Sequence, residues 1–302
     1  MGKSIVQFIF FANYFIGILA IALSIETVFQ LGLPLNSIPY YILVFSATVL
    51  YYTKAYRVPS GIRAAKNPRT DWYSQHYHFI RSSQLLLTII CAICASWLIA
   101  RHVTAILRLP LAYWLVLLSI PAAGLLYYGL LPRSLIRLNL RNTGWLKAFV
   151  IGFVWAGCVS MLPVAAVRVE HGVAVAQPWF LFWLFVKNWM FCTVNAIMFD
   201  LKDYADDANK QLKTFVVQFG LRKTIFFILM PLLLVGLLSF LIFVIWRGFG
   251  IVTVLFNMVP FICLFFVAWS LHKRKKILYY LIVIDGLLLL KALCGITGMM
   301  FL

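Results

Sequence analysis

Residues 225–246 read IFFILMPLLLVGLLSFLIFVIW, a run of 22 residues that contains no charged side chain. A helix needs about 20 apolar residues to cross the roughly 30 Å hydrocarbon core of a bilayer. In lipid, a helix also satisfies its own backbone hydrogen bonds, which a loop or an open strand cannot do. The run therefore predicts a membrane-spanning helix.

Eight further apolar runs flank this one along the chain. With it, the predicted spans cover residues 5–31, 37–57, 79–100, 110–131, 145–168, 178–201, 222–246, 249–271 and 276–302. The chain is 64% hydrophobic and only 11% charged, whereas a soluble domain carries about a quarter charged residues. We therefore predict an all-α, polytopic membrane protein of about nine transmembrane helices, folded as a single membrane-embedded helical domain over residues 1–302.

Positive charge is distributed unequally between the two sides that these helices define. The net charge is +18, but the basic residues lie in short loops between apolar runs, which disfavours a nucleic-acid partner. If the N-terminus is cytoplasmic, most of the 26 basic residues fall on the cytoplasmic side, as the positive-inside rule requires. We therefore expect an integral protein of the plasma (inner) membrane, with the lipid bilayer as its partner and the N-terminus in the cytoplasm.

Half of the acidic residues lie where the sixth predicted helix meets the cytoplasm. These four are Asp200, Asp203, Asp206 and Asp207, out of eight acids in the chain. At about 100° per residue, Asp200, Asp203 and Asp207 lie within an arc of about 60° on one helix face. Like charges so close repel each other unless water or a cation screens them.

Carboxylates in this arrangement suit Mg²⁺, which commonly binds through one or two of them together with substrate phosphates. Lys202 and Lys213 lie close in sequence and could bind further phosphate oxygens, or simply offset the carboxylates. A solvated acidic helix end with local ion pairs is the alternative, and charge alone slightly favours it.

The acidic segment is also similar to a known motif. The residues Asp200-Leu-Lys-Asp203-Tyr-Ala-Asp-Asp207, followed by Lys213-Thr214-Phe-Val-Val-Gln-Phe-Gly220, resemble the second aspartate-rich motif of the UbiA superfamily of membrane prenyltransferases. The helix count and the cytoplasmic placement of the motif are similar to that family as well.

The resemblance implies an enzyme that transfers alkyl groups. A polyprenyl diphosphate would lie with its chain among the helices, and Mg²⁺ on the catalytic residues Asp200, Asp203 and Asp207 would stabilise the leaving diphosphate. A lipophilic or aromatic acceptor, as in quinone-type biosynthesis, would capture the carbocation in a water-poor cavity. Asn195 could face this cavity or make a helix–helix hydrogen bond.

The family's first aspartate-rich motif has no counterpart in this chain. Its place near the end of the second predicted helix is taken by residues 48–57, which contain no acid. Lys54 and Arg57, three residues apart on one helix face, could contact the diphosphate and replace the charge of the first metal. Alternatively, they are ordinary cytoplasmic cations of a catalytically degenerate member that binds isoprenoid lipid without turnover.

Two charged residues lie deep within predicted spans. Lys187 and Asp285 are each about nine residues from the nearest helix end, where charges are usually paired or face a cavity. We expect them to pair with each other, with a role in shaping the acceptor site as an alternative. A third functional alternative, a small-solute membrane transporter, would use these two residues.

Overall fold

The computed structural model describes residues 2–54, 68–128, 144–209, 211–273 and 275–301, and the regular structure in these ranges is entirely helical. The helices are α1 (Gly2–Phe11), α2 (Tyr14–Gln30), α3 (Ile38–Lys54), α4 (Pro68–Gln75), α5 (Tyr77–Leu107), α6 (Leu111–Tyr128), α7 (Leu146–Ala156), α8 (Leu162–His171), α9 (Pro178–Asn209), α10 (Phe215–Lys223), α11 (Met230–Arg247), α12 (Ile251–Ser270), α13 (Ile277–Tyr279) and α14 (Asp285–Met299). Three π-helical turns, Gly157–Met161, Thr224–Leu229 and Tyr280–Ile284, join α7 to α8, α10 to α11 and α13 to α14.

Each of the nine apolar runs contains helix, and the all-α, polytopic membrane fold is confirmed. Among the described residues, six helical spans are long and apolar enough to cross a membrane, or seven if a bent pair counts as one span. That pair is Ile5–Phe11 with Tyr14–Gln30, bent by 63°. Helix α3 has 17 residues, and the apolar part of α6 covers Leu111–Leu125. The count of nine spans, the sidedness of the bundle and the single-domain organisation stay predictions.

Two of the π-helical turns precede prolines. Pro163 follows the turn Gly157–Met161, and Pro231 follows the turn Thr224–Leu229. Proline has no N–H to donate to the carbonyl four residues earlier, and its ring clashes with that carbonyl. A widened turn at this point accommodates the ring, so that one apolar run continues through the proline as a single span.

Helix α9 lies at the centre of the bundle. Its residues Phe191, Val194 and Ile197 are almost completely buried. Helix α7 packs closely against it, since a Cβ atom on Gly152 would lie only 2.8 Å from the backbone nitrogen of Thr193. This close contact fixes the side of α9 that faces α7, and with it the position of the acidic residues near the end of α9.

The bend between α1 and α2 is held by Arg69 of α4. At the bend, Asn13 adopts a left-handed conformation with φ of 65°. The Arg69 guanidinium donates to the carbonyl oxygen of Phe11 at 2.8 Å and to Oδ1 of Asn13, and the Tyr73 hydroxyl donates to the same Phe11 carbonyl at 2.9 Å. Arg69 is itself buried, so α4 is anchored to the first span.

Replacing Arg69 with alanine is expected to lower the free energy of unfolding by about 2 kcal/mol or more, because hydrogen bonds to charged groups contribute roughly 1.5–3 kcal/mol. The thermal unfolding midpoint of the protein in lipid nanodiscs measures the effect. Arg81→Ala is the matched control, since Arg81 is an exposed residue on the following helix. Equal midpoints for the two variants would contradict a stabilising role for the Arg69 contacts.

Candidate functional site

The acidic residues lie on the last turns of α9, and two of them are buried. Asp200 is 3% exposed and Asp207 is 5% exposed. Both carboxylates approach one ammonium group: the Nζ atom of Lys147 lies 2.7 Å from Oδ1 of Asp200 and 3.5 Å from Oδ2 of Asp207. The two aspartates, seven residues apart, therefore share a cation that comes from a different helix.

Lys147 reaches this position from the first turn of α7. The chain just before α7 runs against the segment that follows α9, and a Cβ atom on Gly144 would collide with the backbone of Lys213 and Thr214. Thr214 is fully buried and precedes α10 in an extended conformation. Gly144 thus permits the backbone contact that brings α7, the end of α9 and the start of α10 together.

Asp203 lies apart from this pair. Its carboxylate contacts Lys202 at 3.1 Å, and its side chain is 40% exposed. The side chain of Asp206 lies outside the described residues. Within the described ranges, no group of three or more acidic, histidine or cysteine side chains is placed to hold a metal ion. The structure therefore brings Asp200 and Asp207 together around Lys147 and leaves Asp203 at the rim.

A large cavity begins at this cluster. It has a volume of about 1050 Å³, and Lys147, Asp207 and Thr214 line its polar end. The remaining wall is mainly apolar and comes from α3, α6, α7 and the π-helical turn after α7. The volume is at the upper end of the roughly 300–1000 Å³ typical of small-molecule sites.

Aromatic side chains form one wall of this cavity. Tyr51, Tyr52 and Trp155 line it, and the indole N–H of Trp155 donates to the hydroxyl of Tyr52 at 2.5 Å. Thr48 of α3 also faces the cavity. Lys54 lies three residues beyond Tyr51, at the end of α3, and is absent from the lining of the cavity.

The other predicted binding residues have different environments. Lys54 and Lys213 are exposed, and Arg57 lies outside the described residues. Asn195 is buried, and its Oδ1 has no hydrogen-bond partner among the described residues. It is absent from the lining of the large cavity.

The expected pair of Lys187 and Asp285 is wrong. Lys187 approaches Glu26 of α2, with 3.8 Å between Nζ and Oε1. Asp285 instead interacts electrostatically with Arg69 and Lys202. The two residues lie at different depths, because Lys187 is near the start of α9, whereas Asp285 begins α14, towards the end of the bundle where α9 finishes.

The sequence interpretation missed two residues. Glu26 is an isolated acid inside a long apolar run, and an acid at such a depth is itself a signal of pairing. Lys147 belongs to a basic stretch before the fifth predicted span, to which no role was assigned. Its role depends on the packing of α7 against α9. The sequence signal for this contact is the small residue Gly152, which does not identify the helix that it faces.

The fold and the site together define a class: an integral helical membrane protein with a carboxylate–lysine cluster at the mouth of an apolar cavity. Comparison with family models refines this, since the model of the UbiA prenyltransferase family matches residues 63–282. The chain belongs to the UbiA prenyltransferase family, which confirms the resemblance found in the acidic motif. Searches among curated proteins and solved structures gave no match.

The residues present at the cluster fit the Mg²⁺ that membership of this family implies. Mg²⁺ commonly uses one or two carboxylates and completes its shell with water and phosphate oxygens. Asp200 and Asp207 supply two carboxylates, and the buried Oδ2 of Asp200 has no hydrogen-bond partner among the described residues. The Lys147 ammonium already lies between the two carboxylates, so the charges at this position favour a cation.

Proposed function

We propose that this protein transfers a prenyl group from a polyprenyl diphosphate to a lipophilic or aromatic acceptor, in a reaction that depends on Mg²⁺. The observation that carries the proposal is the pair of carboxylates, Asp200 and Asp207, that shares Lys147. Of this cluster, Lys147 and Asp207 line the polar end of a cavity of about 1050 Å³ with mainly apolar walls. Such a site suits a ligand with a long hydrocarbon chain and a charged head. Membership of the prenyltransferase family supports the same class of reaction.

The bound substrate would be oriented by the two ends of the cavity. Its diphosphate would lie near Lys147, with Lys54, Lys202, Lys213 and Arg57 as candidates for further contacts to phosphate oxygens. Asp200 and Asp207 would hold Mg²⁺, with Asp203 as a candidate third ligand at the rim. The metal, when bound, supplies positive charge that stabilises the leaving diphosphate.

The remaining steps depend on the apolar walls. The allylic C–O bond breaks and its electron pair leaves with the diphosphate. The acceptor then donates the electron pair of the new bond to the allylic carbon and releases a proton. Tyr52 and Trp155 would face the cationic carbon, because aromatic rings attract cations, and the apolar wall would exclude the water that otherwise captures it.

A second candidate function is supported by the Lys147 contacts. An ammonium that already pairs with both carboxylates offsets part of the charge that would attract a metal. The chain also lacks the first aspartate-rich motif. Both observations favour a family member that binds isoprenoid lipid without turnover.

Diphosphate release distinguishes the two functions. We expect purified protein in lipid nanodiscs to release diphosphate from a polyprenyl diphosphate in the presence of Mg²⁺ and an aromatic acceptor, and to stop when the metal is chelated. A panel of chain lengths is needed, because the cavity volume does not select one length. Binding of the polyprenyl diphosphate without release, at every length and with every acceptor, would reject the transferase in favour of the binding protein.

A further inference from the structure

Three charged side chains meet in the bundle at a distance from the acidic cluster. They are Glu26 of α2, Lys187 of α9 and Lys291 of α14. Glu26 and Lys291 are 0% and 2% exposed. Because a helix rises about 1.5 Å per residue, Lys187 lies about 20 Å from Asp200 along α9.

The charges in this triad are not balanced. Glu26 is the one described acid within ion-pair distance of either lysine, and Lys291 holds the shorter contact, with 2.5 Å between Nζ and Oε2. Lys187 lies 3.8 Å from the other carboxylate oxygen. Its closest hydrogen-bond partner is a neutral amide oxygen, Oδ1 of Asn257 at 3.1 Å. With both lysines protonated, one positive charge remains in excess, in surroundings where uncompensated charge is costly.

A second cavity opens onto the undercompensated lysine. It has a volume of about 240 Å³, and Lys187, Gln30 and Asn257 are among the polar residues that line it. Phe240 and Phe243 are among its apolar walls, which come largely from α9, α11 and α12. None of the residues that line it also lines the large cavity.

This cavity lies at the edge of the bundle that faces lipid. Val235 of α11 lines it and is also 64% exposed, so a ligand dissolved in the bilayer can enter between α11 and α9. At about 240 Å³, the cavity is smaller than the roughly 300–1000 Å³ of drug-sized sites. It therefore holds a small headgroup and the first part of a chain, with the rest of the chain in lipid.

We propose that this cavity binds the carboxylate of a membrane-soluble monoanion, such as a fatty acid, on the ammonium of Lys187. One negative charge balances the one excess positive charge, whereas the dianion of a phosphate monoester would reverse the imbalance. The hydrocarbon chain of the acid lies against Phe240 and Phe243 and leaves the cavity beside Val235. The site is independent of the prenyl-transfer proposal and remains if that reaction is absent.

Binding of radiolabelled decanoate to the protein in nanodiscs of neutral lipid tests the site, with empty nanodiscs subtracted and decanol and decyl phosphate as comparisons. Lys187→Met keeps the unbranched side chain up to the Cε position and removes the ammonium group. We expect decanoate affinity to fall by about tenfold or more, since charge-assisted hydrogen bonds are the strong ones. Ser239→Leu adds bulk to the cavity wall without altering a charge and is expected to weaken decanoate binding as well. Lys147→Met, in the large cavity, is the matched control and is expected to leave decanoate affinity unchanged.

Three results would overturn the proposal. Decanoate that binds no more tightly than decanol would show that the lysine does not attract the anion. Decyl phosphate that binds more tightly than decanoate would exclude a site built for a monoanion. A loss of affinity from Lys147→Met with none from Lys187→Met would place the acid in the large cavity. The thermal unfolding midpoint is measured on each variant, and Ser239→Leu carries the test if Lys187→Met does not fold.

Discussion

Replacing both Asp200 and Asp207 with asparagine is expected to lower the rate of diphosphate release by about a thousandfold or more, because a metal ion contributes several kcal/mol of charge stabilisation in the transition state. Asparagine keeps the size of each side chain and removes its negative charge, so the variant loses the proposed Mg²⁺ ligands with little change in volume. Initial rates at saturating polyprenyl diphosphate, over a range of Mg²⁺ concentrations, measure the effect.

The single variant Asp203→Asn separates two versions of the site. The motif predicts three metal ligands, whereas the structure places Asp203 beside Lys202 with its side chain 40% exposed. If two carboxylates hold the metal, Asp203→Asn is expected to release diphosphate far faster than the double variant does. A loss equal to that of the double variant would instead support the three-aspartate set.

The folding of the double variant is checked on the same samples. Lys147 loses both of its carboxylate partners in this variant, so the thermal unfolding midpoint is measured beside the rate. An unchanged rate of diphosphate release would contradict the proposed role of Asp200 and Asp207. A lost rate with a retained midpoint would support it.

The fold could be predicted from the sequence because each apolar run is long enough to cross a bilayer, which identifies lipid as the environment of the helices. In residues 225–246, the absence of charge over 22 residues leaves lipid as the stable environment, whatever the neighbouring helices do. Periodicity likewise places Asp200, Asp203 and Asp207 on one face of α9. These predictions depend on residues close together in the chain.

The division of the aspartates could not be predicted, because it depends on a contact between distant residues. Asp200 and Asp207 differ from Asp203 in facing Lys147, which is 53 residues from Asp200 in the sequence. Whether α7 packs on that side of α9 is decided at contacts such as Gly152 with Thr193. A glycine in an apolar helix does not by itself identify the helix that it faces.

The wrong pairing of Lys187 with Asp285 has a similar cause. Each residue is about nine residues from the start of its own predicted span. Because α9 and α14 run in opposite directions, these starts lie at opposite ends of the bundle. Lys291 lies about 9 Å further along α14 than Asp285, at the depth of Lys187 and Glu26. Similar distances from a helix end therefore did not mean similar depths in the membrane, and the predicted partner was wrong.

Glu26→Gln is expected to destabilise the protein by about 3–5 kcal/mol, the cost of leaving buried charges without their partner. Gln30 donates to Oε1 of Glu26 at 3.1 Å, and Lys291 and Lys187 approach its two oxygens at 2.5 and 3.8 Å. Glutamine nearly preserves the shape of the side chain, so the cost arises mainly from the two ammonium groups that remain. The thermal unfolding midpoint in nanodiscs measures it, with Asp71→Asn, at an exposed acid, as the matched control.

The double variant Glu26→Gln/Lys291→Met separates the effect of the triad's net charge from the effect of side-chain packing. Glu26→Gln raises the net charge of the triad from one positive to two, and the second substitution returns it to one. If charge imbalance causes the loss, the double variant is expected to recover part of the midpoint that Glu26→Gln loses. A double variant less stable than Glu26→Gln would instead mean that the packing of the Lys291 side chain, which passes within 5.7 Å of the Phe191 ring centre, matters more than its charge. An unchanged midpoint for Glu26→Gln alone would contradict the triad as a source of stability, because the ion pairs of Glu26 would then have been removed at no cost.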